Sequence, residues 1–161
     1  MFKKVKKYLI FSLPLILALA LFAGCSEEDS PLTFYVKDVD PLSTSYSGAA
    51  VPVTVDLALE YTGSNNDAAP SGATIDKLTL SARTISGTDI GTVTPITLVF
   101  TAYVATGGTS TFTADDVIWT SMKTYMDAAA TPSQTVVHFV FNATDTSGNI
   151  LTAEGDMTLT K

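Results

Sequence analysis

Residues 51–61 read Val-Pro-Val-Thr-Val-Asp-Leu-Ala-Leu-Glu-Tyr, and this stretch decides the fold class. Every odd position is apolar, whereas the even positions carry Pro, Thr, Asp, Ala and Glu. Because successive side chains of a strand point to opposite faces, the pattern predicts a strand with one buried and one solvated face. Pro52 has no backbone N–H, so we expect the start of this strand to lie at a sheet edge.

The same two-residue period recurs along the chain. It is clear at residues 78–82, 96–104 and 137–143, and it is weaker at residues 34–36 and 151–159. Turn-forming residues separate these stretches, namely Asn65-Asn66, Gly72, Ser86-Gly87, Gly107-Gly108 and the loop at residues 145–149. Strands with one apolar face pack as two sheets over a common core, so the sequence predicts an all-β antiparallel sandwich of about seven strands.

The last predicted hairpin, at residues 137–160, turns through Ala-Thr-Asp-Thr-Ser-Gly-Asn. It resembles the closing hairpin of many bacterial immunoglobulin-like surface domains. This resemblance implies the strand arrangement of an immunoglobulin-like sandwich.

One segment departs from the two-residue period. Thr113, followed by Asp115 and Asp116, has the composition of a helix start. Apolar residues then follow at helical spacing, at Ile118, Met122, Tyr125 and Met126. The segment therefore predicts one short crossover helix that ends near residues 128–130, before Pro132.

Two interpretations of this helix stay open. Its Trp and Met side chains either close one end of the sandwich core or form a surface for a partner, since such side chains are enriched at interfaces. We name Tyr46, Trp119 and Tyr125 as candidate partner-binding residues. In an immunoglobulin-like sandwich they are expected at the end opposite to the point where the chain enters the domain.

The first residues have the order of an export signal. Lysines at positions 3, 4, 6 and 7 precede an apolar segment at residues 9–22, which Pro14 interrupts. This segment is shorter than the ~20 residues that a membrane-spanning helix needs, and it suits a cleaved signal peptide. An ordinary secretory signal and an uncleaved membrane helix are the alternatives.

The end of this segment, Leu21-Phe22-Ala23-Gly24-Cys25, resembles the lipobox of bacterial lipoproteins, with Phe22 where leucine is usual. The resemblance implies cleavage after Gly24 and a membrane anchor of fatty acyl chains such as palmitate on Cys25. Cys25 is also the only cysteine, so it has no partner for an intramolecular disulfide.

These patterns divide the chain into a signal peptide at residues 1–24, an acylated cysteine with an acidic tether at 25–31, and a β-sandwich domain at 32–161. In lipoproteins of Gram-negative bacteria, Asp directly after the acylated cysteine commonly favours retention in the inner membrane. Ser26 stands at that position here. The resemblance therefore implies a lipid-anchored protein of the bacterial cell envelope, with the outer membrane favoured over the inner membrane.

The charge balance of the chain argues against one class of partner. The chain has 9 basic and 16 acidic residues, and four of the basic residues lie in the predicted signal. The remaining five basic residues against 16 acidic residues give a formal charge of −11. Binding to nucleic acid requires basic patches, so we expect no nucleic-acid partner.

The sequence offers few groups for catalysis. His138 is the only histidine, and its position opposite in parity to Val137 and Phe139 predicts a solvent-facing side chain. A nucleophile elbow, a phosphate loop and a zinc-ligand pattern are all missing from the sequence, so we predict no catalytic residue, metal ligand or cofactor. A calcium site from Asp67, Asp89 or Asp145 stays open, although their spacing matches no calcium loop.

The leading hypothesis is a lipid-anchored interaction or structural module of the cell envelope without catalytic activity, accessory to a surface or envelope assembly. Its partners would be the membrane, through acylated Cys25, and an envelope protein. The alternative is a ligand-binding domain for carbohydrate or calcium, or an enzyme with its site in the long loops.

Overall fold

The computed structural model describes residues 30–64 and 69–161. The predicted signal peptide, Cys25 and the predicted turn at Asn65-Asn66 lie outside the described residues. Within the described residues the elements are β1 (Leu32–Asp40), β2 (Ser43–Ser45), β3 (Val53–Tyr61), β4 (Gly72–Arg83), β5 (Ile96–Ala105), β6 (Thr109–Ala114), α1 (Thr120–Ala128), β7 (Gln134–Asp145) and β8 (Ile150–Thr160). No helix in residues 30–64 and 69–161 is long and apolar enough to cross a membrane.

The strands form two sheets. One sheet has the order β1-β3-β6 and the other the order β2-β8-β7-β4-β5. All pairings between the described strands are antiparallel except that of the three-residue strand β2 with β8. Strands β1, β3 and β6 occupy the places of A, B and E in an immunoglobulin domain, and β8, β7 and β4 those of G, F and C. The predicted all-β, immunoglobulin-like sandwich with one short helix is therefore confirmed.

Strand β3 shows how the alternation sets the packing. Its odd-numbered residues from 53 to 59 are at most 2% exposed and face the second sheet. The expectation that the strand starts at a sheet edge was wrong, because β3 lies between β1 and β6. Its ladder begins with Val53 paired to Ala114, so Pro52 lies one residue outside and removes no ladder hydrogen bond.

Aromatic residues fill the space between the sheets. Phe139 and Phe141 of β7 are fully buried, as the alternation predicts. The Phe141 ring packs edge-on against Phe112 of β6, with ring centroids 5.6 Å apart, and Phe112 in turn lies 5.6 Å from Phe100 of β5. This line of rings joins the two sheets near their β5 and β6 edges.

The course of the strands defines two ends of the sandwich. At one end Ser30 Oγ donates a hydrogen bond to Asp145 Oδ2 over 2.9 Å, and Thr62 N donates to Pro31 O over 2.7 Å. We call this the Ser30 end. Helix α1 and the segment at residues 84–95 lie at the other end, which we call the helix end. Strand β7 begins there, and strands β1, β4, β6 and β8 end there. The nine residues of β1, at ~3.3 Å each, separate the two ends by about 30 Å.

The helix was predicted in the right part of the chain but starts later than expected. Thr113 and Ala114 continue β6, where they pair with Thr54 and Val53. Asp116 is not in a first helical turn either, because its Oδ1 accepts hydrogen bonds from Ile118 N and from Val51 N. Val117 N donates to Val51 O and Ile118 N to Asp116 Oδ1, so these two backbone groups are bonded outside the helix, and α1 begins at Thr120.

Candidate functional site

A cleft of about 690 Å³ lies at the helix end, between α1 and the segment that leads into β5. This volume falls in the ~300–1,000 Å³ range of small-molecule sites. The lining side chains are two aromatic rings, five hydroxyls and two aliphatic groups, contributed by Thr92, Thr94, Ile96, Trp119, Thr120, Ser121, Thr124, Tyr125 and Ala128.

The wall on the β5 side is held by backbone bonds and one buried side chain. Ile90 N donates to Ala82 O, and Val93 N donates to Ile90 O, both over 2.8 Å. Val93 is 3% exposed and packs into the core. Val93 is thus held in the core by a tight turn, while Thr92 and Thr94 on either side of it are exposed and line the cleft.

The helical wall is fixed in the same way. Met122 and Met126, four residues apart on one face of α1, are fully buried in the core. The adjacent face carries Thr120, Thr124 and Tyr125 to the cleft. The prediction that this helix closes one end of the core is confirmed for the two methionines, whereas Trp119 and Tyr125 remain half-buried.

Trp119 joins the two walls. Its indole Nε1 donates a hydrogen bond to Thr94 O over 2.8 Å, and Ser121 Oγ donates to the same oxygen over 3.1 Å. The polar edge of the ring is thus occupied, and the orientation of the indole is fixed across the cleft. A ring held in this way loses little freedom when a ligand packs on it.

Tyr46 does not belong to this surface. It is 6% exposed, and its hydroxyl donates to Asp127 Oδ1 over 2.9 Å while accepting from Lys123 Nζ over 3.2 Å. These contacts hold a third face of α1 against the sandwich. The buried ring offers no area to a partner, so we leave Tyr46 out of the candidate site and retain Trp119 and Tyr125.

The charged groups on this third face interact with one another. Hydrogen bonds from Lys123 and from Tyr46 lower the pKa of the Asp127 carboxyl below its usual value. The hydrogen bonds of Lys123 to Asp127 and Tyr46 raise the pKa of its ammonium group. At neutral pH both groups are charged, and they lie on a different face of α1 from the cleft.

His138 faces away from the main core as predicted, yet the expectation of a solvent-facing side chain was wrong, because the residue is 3% exposed. It lies on β7, which is flanked on both sides by β4 and β8. The ring N–H at Nδ1 donates to Asp156 Oδ1 over 2.7 Å, and Nε2 lies 3.6 Å from Glu154 Oε2. Residues 30–64 and 69–161 contain no group of three side chains placed to hold a metal ion.

The three aspartates considered for calcium do not form a site together. Asp89 lies at the helix end and pairs with Arg83 Nε over 2.9 Å, whereas Asp145 lies at the Ser30 end. Asp67 is outside the described residues. Asp145 also has its oxygens occupied, since it accepts hydrogen bonds from the Ser30 hydroxyl, from Ser147 N and from the backbone and side chain of Asn149.

These bonds explain the acidity of Asp145. Burial raises the pKa of its carboxyl, but the hydrogen bonds from Asn149, Ser30 and Ser147 outweigh burial, so the pKa lies below its usual value. Gly148, with φ 91°, closes the loop in a conformation that glycine adopts without strain. Asp145 thus ties the first described residue to the last hairpin and fixes where the chain enters the domain.

No protein-family model matches the chain, and no curated protein matches it. Solved structures with some likeness include a late embryogenesis abundant protein, with 12% identity, a TM-score of 0.49, and coverage of 97% of this chain and 86% of that one. A conjugative transposon lipoprotein from Bacteroides eggerthii has 17% identity and a TM-score of 0.35, over 80% of this chain and 98% of that chain.

A conjugate transposon protein from Bacteroides vulgatus has 15% identity and a TM-score of 0.27, over 81% of this chain and 86% of that chain. All three TM-scores are below 0.5, so we draw no conclusion about fold or function from these likenesses.

Proposed function

We propose that this chain is a lipid-anchored binding module of the bacterial cell envelope, without catalytic activity, and that it contacts its partner through the cleft beside Trp119 and Tyr125. The outer membrane is the favoured location because Ser26, not Asp, follows Cys25.

The observation that carries this proposal is the opposite placement of tether and cleft. The chain enters the domain at Ser30, which Asp145 holds at one end, and the cleft lies at the other end. Five residue-to-residue steps, through four intervening residues, lead from Cys25 to Ser30. Fully extended, they reach less than ~20 Å, so acylated Cys25 would keep the Ser30 end near the bilayer and the cleft facing away.

The composition of the cleft supports binding over catalysis. A Ser or Thr hydroxyl acts as a nucleophile when a base lies beside it, and none of the nine lining residues is His, Lys, Asp or Glu. Its geometry is held by Met122, Met126 and the Trp119–Thr94 hydrogen bond, so it suits a preformed binding surface.

The anchor is tested by Cys25→Ser in a bacterial host, with Ser26→Ala as the matched control. We expect a fatty-acid probe to label the wild-type chain and Ser26→Ala but not Cys25→Ser, because the acyl chains require the thiol. Mass spectrometry of the wild-type chain should show an acylated Cys25 as the first residue. Equal labelling of Cys25→Ser, or a wild-type chain without acyl groups, would overturn the anchor.

A further inference from the structure

We propose that the cleft binds a neutral carbohydrate, with Trp119 and Tyr125 as its stacking surfaces. This inference rests on the proposed function, because it names the class of ligand for the same cleft. It draws on three properties of the lining: its aromatic rings, its free hydroxyls and its lack of charge.

The rings provide the apolar contact. A pyranose has C–H-bearing faces that pack on aromatic rings, while its hydroxyls point outward around the rim. Trp119 and Tyr125 are half-buried and both line the cleft. Because the indole Nε1 is already bonded to Thr94 O, the contact left to a ligand is with the ring itself.

The hydroxyls provide the polar contact. Among the described residues, the side-chain hydroxyls of Thr92, Thr94, Thr120 and Tyr125 line the cleft without a hydrogen-bond partner in the protein. Each hydroxyl is both a donor and an acceptor. A sugar hydroxyl is also both a donor and an acceptor. A hydrogen bond between it and a cleft hydroxyl can therefore form with either group as the donor.

The lack of charged side chains in the cleft favours a neutral ligand over an ionic one. None of the nine lining residues is Asp, Glu, Lys, Arg or His, although 16% of the chain is charged. An anionic ligand would find no cation in the cleft and would meet the field of an acidic protein, with a net charge of −7 for the full chain. A cationic ligand would find no carboxylate among the lining residues. A neutral, hydroxyl-rich ligand meets neither difficulty.

Trp119 makes the inference directly measurable, since it is the only tryptophan of the chain. The full chain in detergent micelles is titrated with neutral oligosaccharides built from glucose, xylose, mannose, galactose or N-acetylglucosamine. We expect at least one of them to change the Trp119 fluorescence saturably. Galacturonate oligosaccharides and neutral peptides serve as the anionic and protein-like comparisons.

Variants then assign the binding to the cleft. Tyr125→Ala should weaken the affinity at least tenfold, and Tyr125→Phe should retain most of it. Tyr103→Ala, which removes an exposed ring outside the cleft lining, should leave the affinity unchanged. Thermal unfolding of each variant shows whether the fold is intact, and calorimetry of Trp119→Phe checks the second ring without relying on fluorescence.

The outcomes separate this inference from the proposed function. Absence of saturable binding by every neutral oligosaccharide, or binding that Tyr125→Ala leaves intact, would overturn the carbohydrate inference. Binding of the peptide or the anionic glycan in the cleft would overturn the inference but support the proposed binding role. The acylation of Cys25 is measured independently and does not depend on any of these titrations.

Discussion

Phe139→Ala is expected to lower the free energy of unfolding by about 3–5 kcal/mol, because it leaves a cavity in the centre of the sandwich. Phe139 is fully buried on β7, between two strands of its own sheet and under the other sheet. The surrounding strands are fixed by ladders on both sides, so they close only part of the cavity. Urea unfolding measures the loss.

His138→Ala is the matched control on the opposite face of the same strand. It removes the hydrogen bond to Asp156, whose carboxylate is 61% exposed and stays solvated, so we expect a cost of only about 1 kcal/mol. A cost as large as that of Phe139→Ala would mean that His138 supports a buried site on the outer face of the sheet.

Met126→Asp is expected to cost about 3–5 kcal/mol and to detach α1 from the core, since it places an unpaired carboxylate where the side chain is fully buried. Loss of the helix would also remove the wall that carries Tyr125. We therefore expect Trp119 fluorescence to shift toward longer wavelength, as the indole loses its contact with Thr94 and enters water.

Thr124→Asp is the control for this change, because it introduces the same charge on the exposed side of the same helix. It should alter the free energy of unfolding by less than ~0.5 kcal/mol. Equal costs for the two variants would show that the methionines do not hold the helix, and the cleft would lose its structural basis.

The fold was predictable because the signal is repeated. Six stretches alternate with a period of two, and buried residues such as Leu57 and Phe139 fall on the predicted parity. Two strands escaped prediction. Strand β2 has only three residues, and β6 reads Thr-Ser-Thr-Phe-Thr-Ala, a weak pattern in which only Phe112 and Ala114 pack against the core. Asp115 and Asp116 have the composition of a first helical turn. In the structure the β6 ladder continues to Ala114 and Asp116 accepts a hydrogen bond from Ile118 N, so no helix begins there.

The site was predictable only in part. Trp119 and Tyr125 were selected as aromatic residues outside the strands, and the structure places both in one cleft. Thr92 and Thr94 were missed because they are short polar residues in a connecting segment. One feature of the sequence could have indicated an uncharged surface here, because the chain between Asp89 and Asp115 has no charged residue. Tyr46 contacts α1 through residues such as Asp127, which lies 81 positions further along the chain. A contact between residues so far apart leaves no pattern in the sequence around Tyr46.

Under the proposed function, an acylated Cys25 would keep the Ser30 end near the bilayer and turn the cleft away from it. Energy transfer to a fluorescent lipid headgroup measures this directly. A donor is attached either at Gly91→Cys, where a side chain meets nothing within 4 Å, or at Ser147→Cys in the exposed last hairpin loop. In an acylated chain the Cys25 thiol would be blocked, so only the introduced thiol would react.

With the full chain in vesicles, we expect strong transfer from position 147 and weak transfer from position 91, because about 30 Å separates the two ends. Stronger transfer from position 91, or equal transfer from both, would contradict the proposed orientation. Transfer from neither position would contradict the anchor itself.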